Sequence, residues 1–264
     1  MSLRWNMEKR ARERAFFILI VAILLLFLPQ MFLTSGGRVQ AFVADEYISR
    51  YERMEQQFPG VFYMAGPEHS SKVALSFDDG PLPGNTPDIL DILNEYDIPA
   101  TFFMLGQEVE ASPWLVEKVA EHGHEIGNHS FTHRDFTKLD RETIWEEEIK
   151  PTGEMIEEIT GEYPTLVRPP YGSITGEQME KLGEKGYKVV NWSVDIGDYE
   201  LENQPEMLLA RLQVQMHPGA IILLHDGGGD RTNTIKMLPE MIEMLMKEGY
   251  EFTTVGELIS RRDR

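Results

Sequence analysis

The sequence of 264 residues contains no cysteine. This absence excludes disulfide bonds, thiolate nucleophiles, zinc fingers and iron–sulfur clusters. Basic residues are also scarce, because 25 Lys and Arg stand against 44 Asp and Glu, which gives a formal charge of −19. Such an acidic chain is not expected to bind nucleic acid. The apolar fraction of 42% is typical of a globular protein. Any bound metal must therefore be held by His, Asp or Glu.

One long hydrophobic run lies near the amino terminus. Residues 15–28 are all apolar, and the run extends to residue 33. It follows a basic segment, residues 1–14, which is typical of a cytoplasmic flank. The shorter run suits a secretory signal, whereas 15–33 is just long enough for a membrane span. We expect a single-pass anchor in the cell membrane with the remaining chain outside the cytoplasm, or secretion after cleavage near Ala41.

The remaining chain divides by composition into two parts. Residues 34–71 are rich in Gly, Ser and Glu and are predicted to form a stalk. Residues 72–264 contain no further linker, and their number fits one domain. We expect this domain to be a monomer.

Short β-prone runs alternate with helical periodicity throughout the predicted domain. The strand candidates are Val73–Phe77, Thr101–Leu105, Glu125–Gly127, Thr165–Val167, Lys188–Trp192, Ala220–Leu224 and Phe252–Val255. This alternation predicts parallel strands joined by helical crossovers, that is, an α/β fold. Seven such runs favour a barrel or a strongly curved sheet. An open doubly wound sheet stays possible, although no glycine-rich nucleotide loop follows the first strand.

Two adjacent carboxylates, Asp78 and Asp79, follow the first predicted strand. Because consecutive side chains diverge, one can bind a cation while the other serves as a base. A simple turn motif explains the pair equally well. His129 and His133 follow the third strand and can reach one cation if they lie on one helical turn. Two histidines and one carboxylate leave coordination positions open, as a catalytic metal requires.

Further polar residues follow three later strands. Arg168 precedes two prolines, whose stiff turn could fix its guanidinium beside a carboxylate. Asp195 and Asp198 follow the fifth strand, and His225 closes the sixth. A histidine there is a suitable general acid if a nearby carboxylate raises its pKa. Rigid loops would explain each motif alone. Their shared position is the one where parallel α/β proteins carry active sites.

The neighbouring histidines have no evident carboxylate partner. We therefore interpret His122 as a surface residue and His124 as a structural one.

Together these motifs resemble the polysaccharide deacetylase family, also called carbohydrate esterase family four. The resemblance covers about residues 72–260 and includes all five family motifs in order. It implies a distorted (β/α) barrel of about seven parallel strands. It also implies metal-dependent removal of acetyl groups from N-acetylated sugars.

The same resemblance assigns roles to individual residues. The implied metal ligands are Asp79, His129 and His133. The implied base is Asp78, which Arg168 orients, and the implied acid is His225, which Asp198 tunes. The remaining matches are Tyr171, whose backbone N–H would help to form the oxyanion hole, and Leu223, which would line the pocket for the acetyl methyl group. Tyr199 stands where many members carry Trp on the hydrophobic side of the groove, so substrate preference can differ.

Several alternatives remain open at this stage. The ligand set favours Zn²⁺ but also accepts Co²⁺ or Ni²⁺. The expected substrate is an N-acetylated envelope polysaccharide, either peptidoglycan or chitin-like oligomers. The alternatives are an O-acetyl esterase acting on a cell-wall or plant polysaccharide, an amidase acting on a small non-sugar amide, and a membrane-tethered glycan-binding protein without activity.

Overall fold

The computed structural model describes residue 51 and residues 53–200 and 204–262. The predicted basic segment and anchor, and the predicted stalk up to residue 50, lie outside the described residues. Within the described part, no helix has both the length and the hydropathy needed to cross a membrane. One compact unit spans Met54–Arg264.

Parallel strands form the centre of this unit. In chain order they are β1 (Phe62–Tyr63), β2 (Lys72–Asp78), β3 (Thr101–Met104), β4 (Glu125–Asn128), β5 (Leu166–Val167), β6 (Lys188–Val190), β7 (Val194–Asp195), β8 (Ile221–His225) and β9 (Glu251–Phe252). The sheet order is β1-β6-β5-β4-β3-β2-β8-β7, and β9 pairs with the start of β2. The predicted α/β class with parallel strands is confirmed.

The strand count and the closure of the sheet differ from the prediction. Eight strands, rather than about seven, lie along the sheet, and β1 and β7 each have one neighbour among the described residues. The architecture is therefore an open, curled half-barrel. Strand β1 comes from the segment predicted as a stalk, because Phe62 and Tyr63 are buried and pair with β6. The folded unit thus begins before residue 72. The last predicted strand is also shorter, since Val255 already begins a helix.

Helices connect the strands. They are α1 (Thr86–Glu95), α2 (Gly106–Ala111), α3 (Pro113–Glu121), α4 (Arg141–Thr143), α5 (Lys150–Thr160), α6 (Gly176–Glu184), α7 (Pro205–Gln215), α8 (Thr232–Lys247) and α9 (Val255–Ser260). A π-helical turn over Ile144–Ile149 joins α4 to α5. Proline in the first turn of α1, α3 and α7 suits positions that have no intrahelical acceptor. Helix α6 begins with a capping box between Thr175 and Gln178.

Strand β2 runs from the apolar core to the polar end of the sheet. Val73, Leu75 and Phe77 belong to the main hydrophobic core, which includes residues of the surrounding helices. Ala74 belongs to a second cluster that includes residues of α9. Because side chains alternate along a strand, Asp78 lies on the same face as Ala74. Helix α9 lies against β2 near its amino-terminal end, which leaves the carboxyl-terminal end to polar side chains.

Candidate active site

The strand register brings the predicted acid and base side by side. Asp78 and His225 are Cα partners in the neighbouring strands β2 and β8. On the other side of β2, Asn128 of β4 pairs with Val167 of β5. His129 and Arg168 each follow one of these partners, so they also lie next to each other. All of these residues meet at one edge because the strands run parallel.

Asp79, His129 and His133 form the candidate metal centre. The Asp79 Oδ1 atom lies 3.4 Å from His129 Nε2 and 3.3 Å from His133 Nε2. This oxygen is buried and has no hydrogen-bond partner within the described part of the chain. His129 Nδ1 donates to the Arg168 carbonyl at 2.7 Å, which leaves Nε2 free as an acceptor. A buried, unpartnered carboxylate oxygen facing imidazole nitrogens fits a divalent cation.

The two histidines lie in a loop and not on one helical turn, which was the condition under which their spacing would bring both to one cation. They belong to a loop in which Ser130 has a φ of 77° and His133 a φ of 60°. Asn128 Oδ1 accepts a hydrogen bond from Ser130 N at 2.9 Å, and Ser130 Oγ accepts one from His133 N at 3.0 Å. The loop, rather than helical periodicity, therefore brings the imidazoles together.

The electrostatics of this centre favour a negatively charged aspartate. Burial alone would raise the pKa of Asp79, but its contact with His129 and the charges of the surrounding imidazoles lower it well below its ordinary value. Burial and the neighbouring His129 lower the pKa of His133. The carboxylate of Asp79 and the neutral imidazole of His133 are the forms that bind metals.

Asp78 is held by a buried arginine. Arg168 Nη1 donates to Asp78 Oδ1 at 2.7 Å. The guanidinium is fixed in turn by the carbonyls of Asn191 and Val190, at 3.1 Å from Nη2 and 3.3 Å from Nε. Its Cζ atom also lies 4.1 Å from the centre of the Phe103 ring. Three donors with fixed acceptors leave the guanidinium little freedom, so it orients the carboxylate.

His225 is held in a charged form by Asp198. The distance from His225 Nδ1 to Asp198 Oδ1 is 2.8 Å. The other oxygen of Asp198 accepts hydrogen bonds from His225 N and from Thr234 Oγ1, both at 2.9 Å. Burial alone would lower the pKa of His225, but the charge and hydrogen bond of Asp198 raise it to about 9. The imidazole is therefore protonated at neutral pH.

The predicted substrate-binding residues surround these groups. The exposed Tyr171 lies in a turn with a φ of 58°, and its ring contacts the His133 ring edge-on at 4.7 Å. The exposed Tyr199 contacts the His225 ring at 5.4 Å, and its hydroxyl lies 3.3 Å from Asp195 Oδ2. Leu223 is buried two residues before His225 and therefore faces the same side of the sheet. An open cavity of 520 Å³ begins beside His133 and Tyr171.

Four residues that support the site were not predicted, namely Glu148, Asn191, Asp226 and Thr234. Asn191 Nδ2 donates to the Gly172 carbonyl at 3.0 Å and so holds the turn that carries Tyr171. Asp226 Oδ2 accepts a hydrogen bond from Thr86 at 2.6 Å, and burial raises the pKa of Asp226 to about 7. Its position beside His225 was a usable sequence signal. The other three had none, because their partners lie far away in the chain.

His122 and His124, which precede strand β4, lie as the sequence suggested. His122 is exposed. His124 is buried, and its Nδ1 accepts a hydrogen bond from Ala100 N at 3.1 Å. Burial lowers the pKa of His124 to about 4, so this imidazole is neutral.

Comparison with known proteins points to the same family that the sequence motifs resemble. The family model described as polysaccharide deacetylase matches residues 65–190. A Bacillus cereus protein, peptidoglycan-N-acetylglucosamine deacetylase, is 37% identical over 208 residues, which cover 78% of this chain and 97% of that protein. A crystal structure of a peptidoglycan N-acetylglucosamine deacetylase matches with a TM-score of 0.73 and 32% identity, covering 75% of this chain and 92% of that chain.

A third match shows why the site must be considered together with the fold. A CE4-family pseudoenzyme from Bacillus anthracis matches with a TM-score of 0.71 and 29% identity, covering 76% of this chain and 69% of that one. A shared fold is therefore not sufficient for catalysis. The alignment with the Bacillus cereus deacetylase covers 97% of that protein at 37% identity, and it is therefore stronger evidence than the fold alone. On this relation the chain belongs to the polysaccharide deacetylase family of enzymes.

Proposed function

We propose that the chain is a metal-dependent hydrolase that removes N-acetyl groups from the amino sugars of peptidoglycan. One observation carries this proposal: an arginine-held carboxylate and a charged imidazole lie on adjacent strands beside a cluster of three metal-binding side chains. Hydrolysis of an amide requires a base for water and an acid for the departing amine. The named activity of the Bacillus cereus relative supports the choice of substrate class.

In this proposal Asp79, His129 and His133 hold the divalent cation. Zn²⁺ is the proposed metal, and the same ligands accept Co²⁺ or Ni²⁺. When bound, such a cation supplies Lewis-acid polarisation of the acetyl carbonyl and lowers the pKa of water. Every remaining role falls to the residues of the chain.

Asp78 acts as the general base. Its Oδ1 accepts the hydrogen bond from Arg168 at 2.7 Å, so the carboxylate is oriented before the substrate arrives. It takes a proton from the water that attacks the carbonyl carbon. The negative charge that develops on the carbonyl oxygen is stabilised by the backbone N–H of Tyr171.

His225 acts as the general acid. Its proton passes to the sugar nitrogen as the carbon–nitrogen bond breaks, which yields acetate and a free amine. Without this proton the amine would be a poor leaving group, and the tetrahedral intermediate formed by the attack of water would revert to the substrate. Asp198 keeps the imidazole charged until that step.

Exposed aromatic rings and one aliphatic side chain position the substrate. The Tyr171 ring contacts the His133 ring, and the Tyr199 ring contacts the His225 ring. Both tyrosines are exposed, so the faces of their rings can pack against sugar rings. Leu223 lines the pocket for the acetyl methyl group. We also propose that residues 15–33 carry the enzyme to the outer side of the cell membrane, where peptidoglycan lies.

The test is product analysis with the full-length chain. Peptidoglycan and N-acetylated chitin oligomers are incubated with enzyme, with chelator-treated enzyme and with enzyme restored by Zn²⁺. We expect acetate and free amine in equal amounts, more rapidly from peptidoglycan, and only when metal is present. Acetate with a free hydroxyl instead of an amine would indicate an esterase. Glycan binding without acetate from a zinc-loaded sample would indicate a binding protein.

A further inference from the structure

An unusual helical turn lies behind the candidate metal centre. The helix between residues 141 and 160 changes to a π-helical turn over Ile144–Ile149. Such turns are rare and occur frequently at functional sites. This one carries three consecutive glutamates, of which Glu148 is fully buried, whereas the side chain of Glu147 is 60% exposed. The local winding therefore directs one particular carboxylate into the protein.

The buried carboxylate binds the loop that joins the two metal-binding histidines. Glu148 Oε2 accepts hydrogen bonds from Phe131 N at 2.9 Å and from Thr132 N at 2.8 Å. Its Oε1 accepts one from Thr132 Oγ1 at 2.7 Å and forms an ion pair with Arg134. These donors come from three of the residues between and just after the histidines. Glu148 thus binds the two residues directly before His133 and the residue directly after it.

The same π-helical turn also holds the first half of the loop. The carbonyl of Ile149 accepts a hydrogen bond from Asn128 Nδ2 at 2.8 Å. Asn128 Oδ1 in turn accepts the hydrogen bond from Ser130 N at 2.9 Å. Two adjacent residues of one turn therefore fix both halves of the loop that carries His129 and His133.

Such support is needed because the loop has an unfavourable backbone conformation. Ser130 and His133 are both in the left-handed region, at φ values of 77° and 60°. Residues other than glycine adopt this region only when their surroundings enforce it. Burial would raise the pKa of Glu148, but its donors lower it below its ordinary value, so the carboxylate is negatively charged. A charged acceptor with four donors is strong enough to enforce the loop conformation.

We propose that Glu148 is a positioning residue that holds His133 in the geometry required for metal binding. It acts through the backbone of residues 131 and 132 rather than by coordination. This inference rests on the proposed metal site, but metal affinity can be measured without any deacetylation. Loss of a residue that orients a metal ligand typically weakens metal binding by about 10- to 100-fold.

The experiment measures binding of Zn²⁺ alone to the full-length chain, by competition with a chromophoric chelator. Glu148→Gln is expected to weaken binding by about 10- to 100-fold. Glu147→Gln is the matched control, because Glu147 lies on the same turn and, within the described part of the chain, hydrogen-bonds to the Arg134 side chain and not to the loop backbone. It is expected to bind Zn²⁺ like the wild type. Thr132→Val removes a single hydroxyl donor and is expected to give an intermediate loss.

Two further readouts separate positioning from a purely structural role. The absorption spectrum of the Co²⁺ form reports ligand geometry, and we expect it to change in Glu148→Gln but not in Glu147→Gln. The melting temperature of the metal-free proteins reports stability alone. A lower melting temperature with unchanged Zn²⁺ affinity and Co²⁺ spectrum would overturn the proposal.

The remaining outcomes are also decisive. If Glu148→Gln does not fold, Thr132→Val carries the test, and wild-type affinity in that variant would overturn the proposal. If the wild type itself does not bind Zn²⁺, the proposed metal site and this inference both fail. If the wild type binds Zn²⁺ but releases no acetate, the proposed function fails while the role of Glu148 still stands or falls by affinity.

Discussion

Replacing Asp198 with asparagine should change the pH dependence of turnover rather than merely its size. Asp198 provides the largest contribution that raises the pKa of His225 to about 9. Asparagine has nearly the same shape but no charge. Without that charge, the imidazole should titrate near the ordinary histidine value of about 6.5. The alkaline limb of kcat/KM should therefore move down by about 2.5 pH units, which corresponds to ~3 kcal/mol.

The size of the defect should depend strongly on pH. At pH 8 a histidine with a pKa of about 9 is mostly protonated, whereas one near 6.5 is only about 3% protonated, so activity should fall by about 30-fold. At pH 6 the same substitution should cost less than about twofold from this cause. The assay is acetate release from chitin oligomers between pH 5.5 and 10, with saturating Zn²⁺.

Thr234→Val is the control for this experiment. It removes the hydroxyl that donates to Asp198 Oδ2 at 2.9 Å but leaves the carboxylate charge in place. Its alkaline limb should stay close to that of the wild type. A uniform loss of activity in Asp198→Asn at every pH, with the limb still near pH 9, would refute the assigned role of the ion pair.

Three further predictions concern the base, the metal and the stability. Asp78→Asn should reduce kcat by about 10²-fold or more and leave Zn²⁺ affinity nearly unchanged, as measured by steady-state kinetics and metal titration; near-wild-type turnover would remove Asp78 from the role of base. Chelation should abolish acetate release and added Zn²⁺ should restore it, and full activity in a sample shown to be metal-free would contradict the metal requirement. The raised pKa of His225 also has a consequence for folding: its contribution is fully present below the unfolded value of about 6.5 and is lost as pH rises through about 9. Denaturant unfolding of the metal-free protein should therefore show stability falling over that window by up to ~3 kcal/mol in the wild type and by much less in Asp198→Asn; equal slopes in the two proteins would count against the pairing.

The sequence was informative about strands because the relevant signals are local. Strand β2 reads as a mainly apolar run over Val73–Phe77, in which Ser76 is the one polar residue, and this is typical of a parallel strand covered on both faces. Strands β1 and β7 are only two residues long and lie at the two ends of the strand order, so each has a single neighbouring strand among the described residues. Both depend on a neighbouring strand, and β1 was consequently assigned to a stalk.

The two candidate metal ligands lie together as the sequence predicted, but through a different local structure. Their spacing suggested one helical turn, but His129 and His133 meet through a loop with left-handed residues. Spacing specifies how far apart two side chains can be along the chain. It does not specify the backbone conformation, which Glu148 and Ile149 stabilise from a distant segment of the chain.

The sequence by itself determined the α/β class, the family and the chemical groups of the site, because apolar runs and the polar residues that follow them are neighbours in the chain. Only the tertiary structure decided which strands lie together. The pairing of β2 with β8 sets Asp78 beside His225, and a π-helical turn selects Glu148 from three consecutive glutamates. Strand order and helix winding depend on packing between distant segments, and no local pattern encodes them.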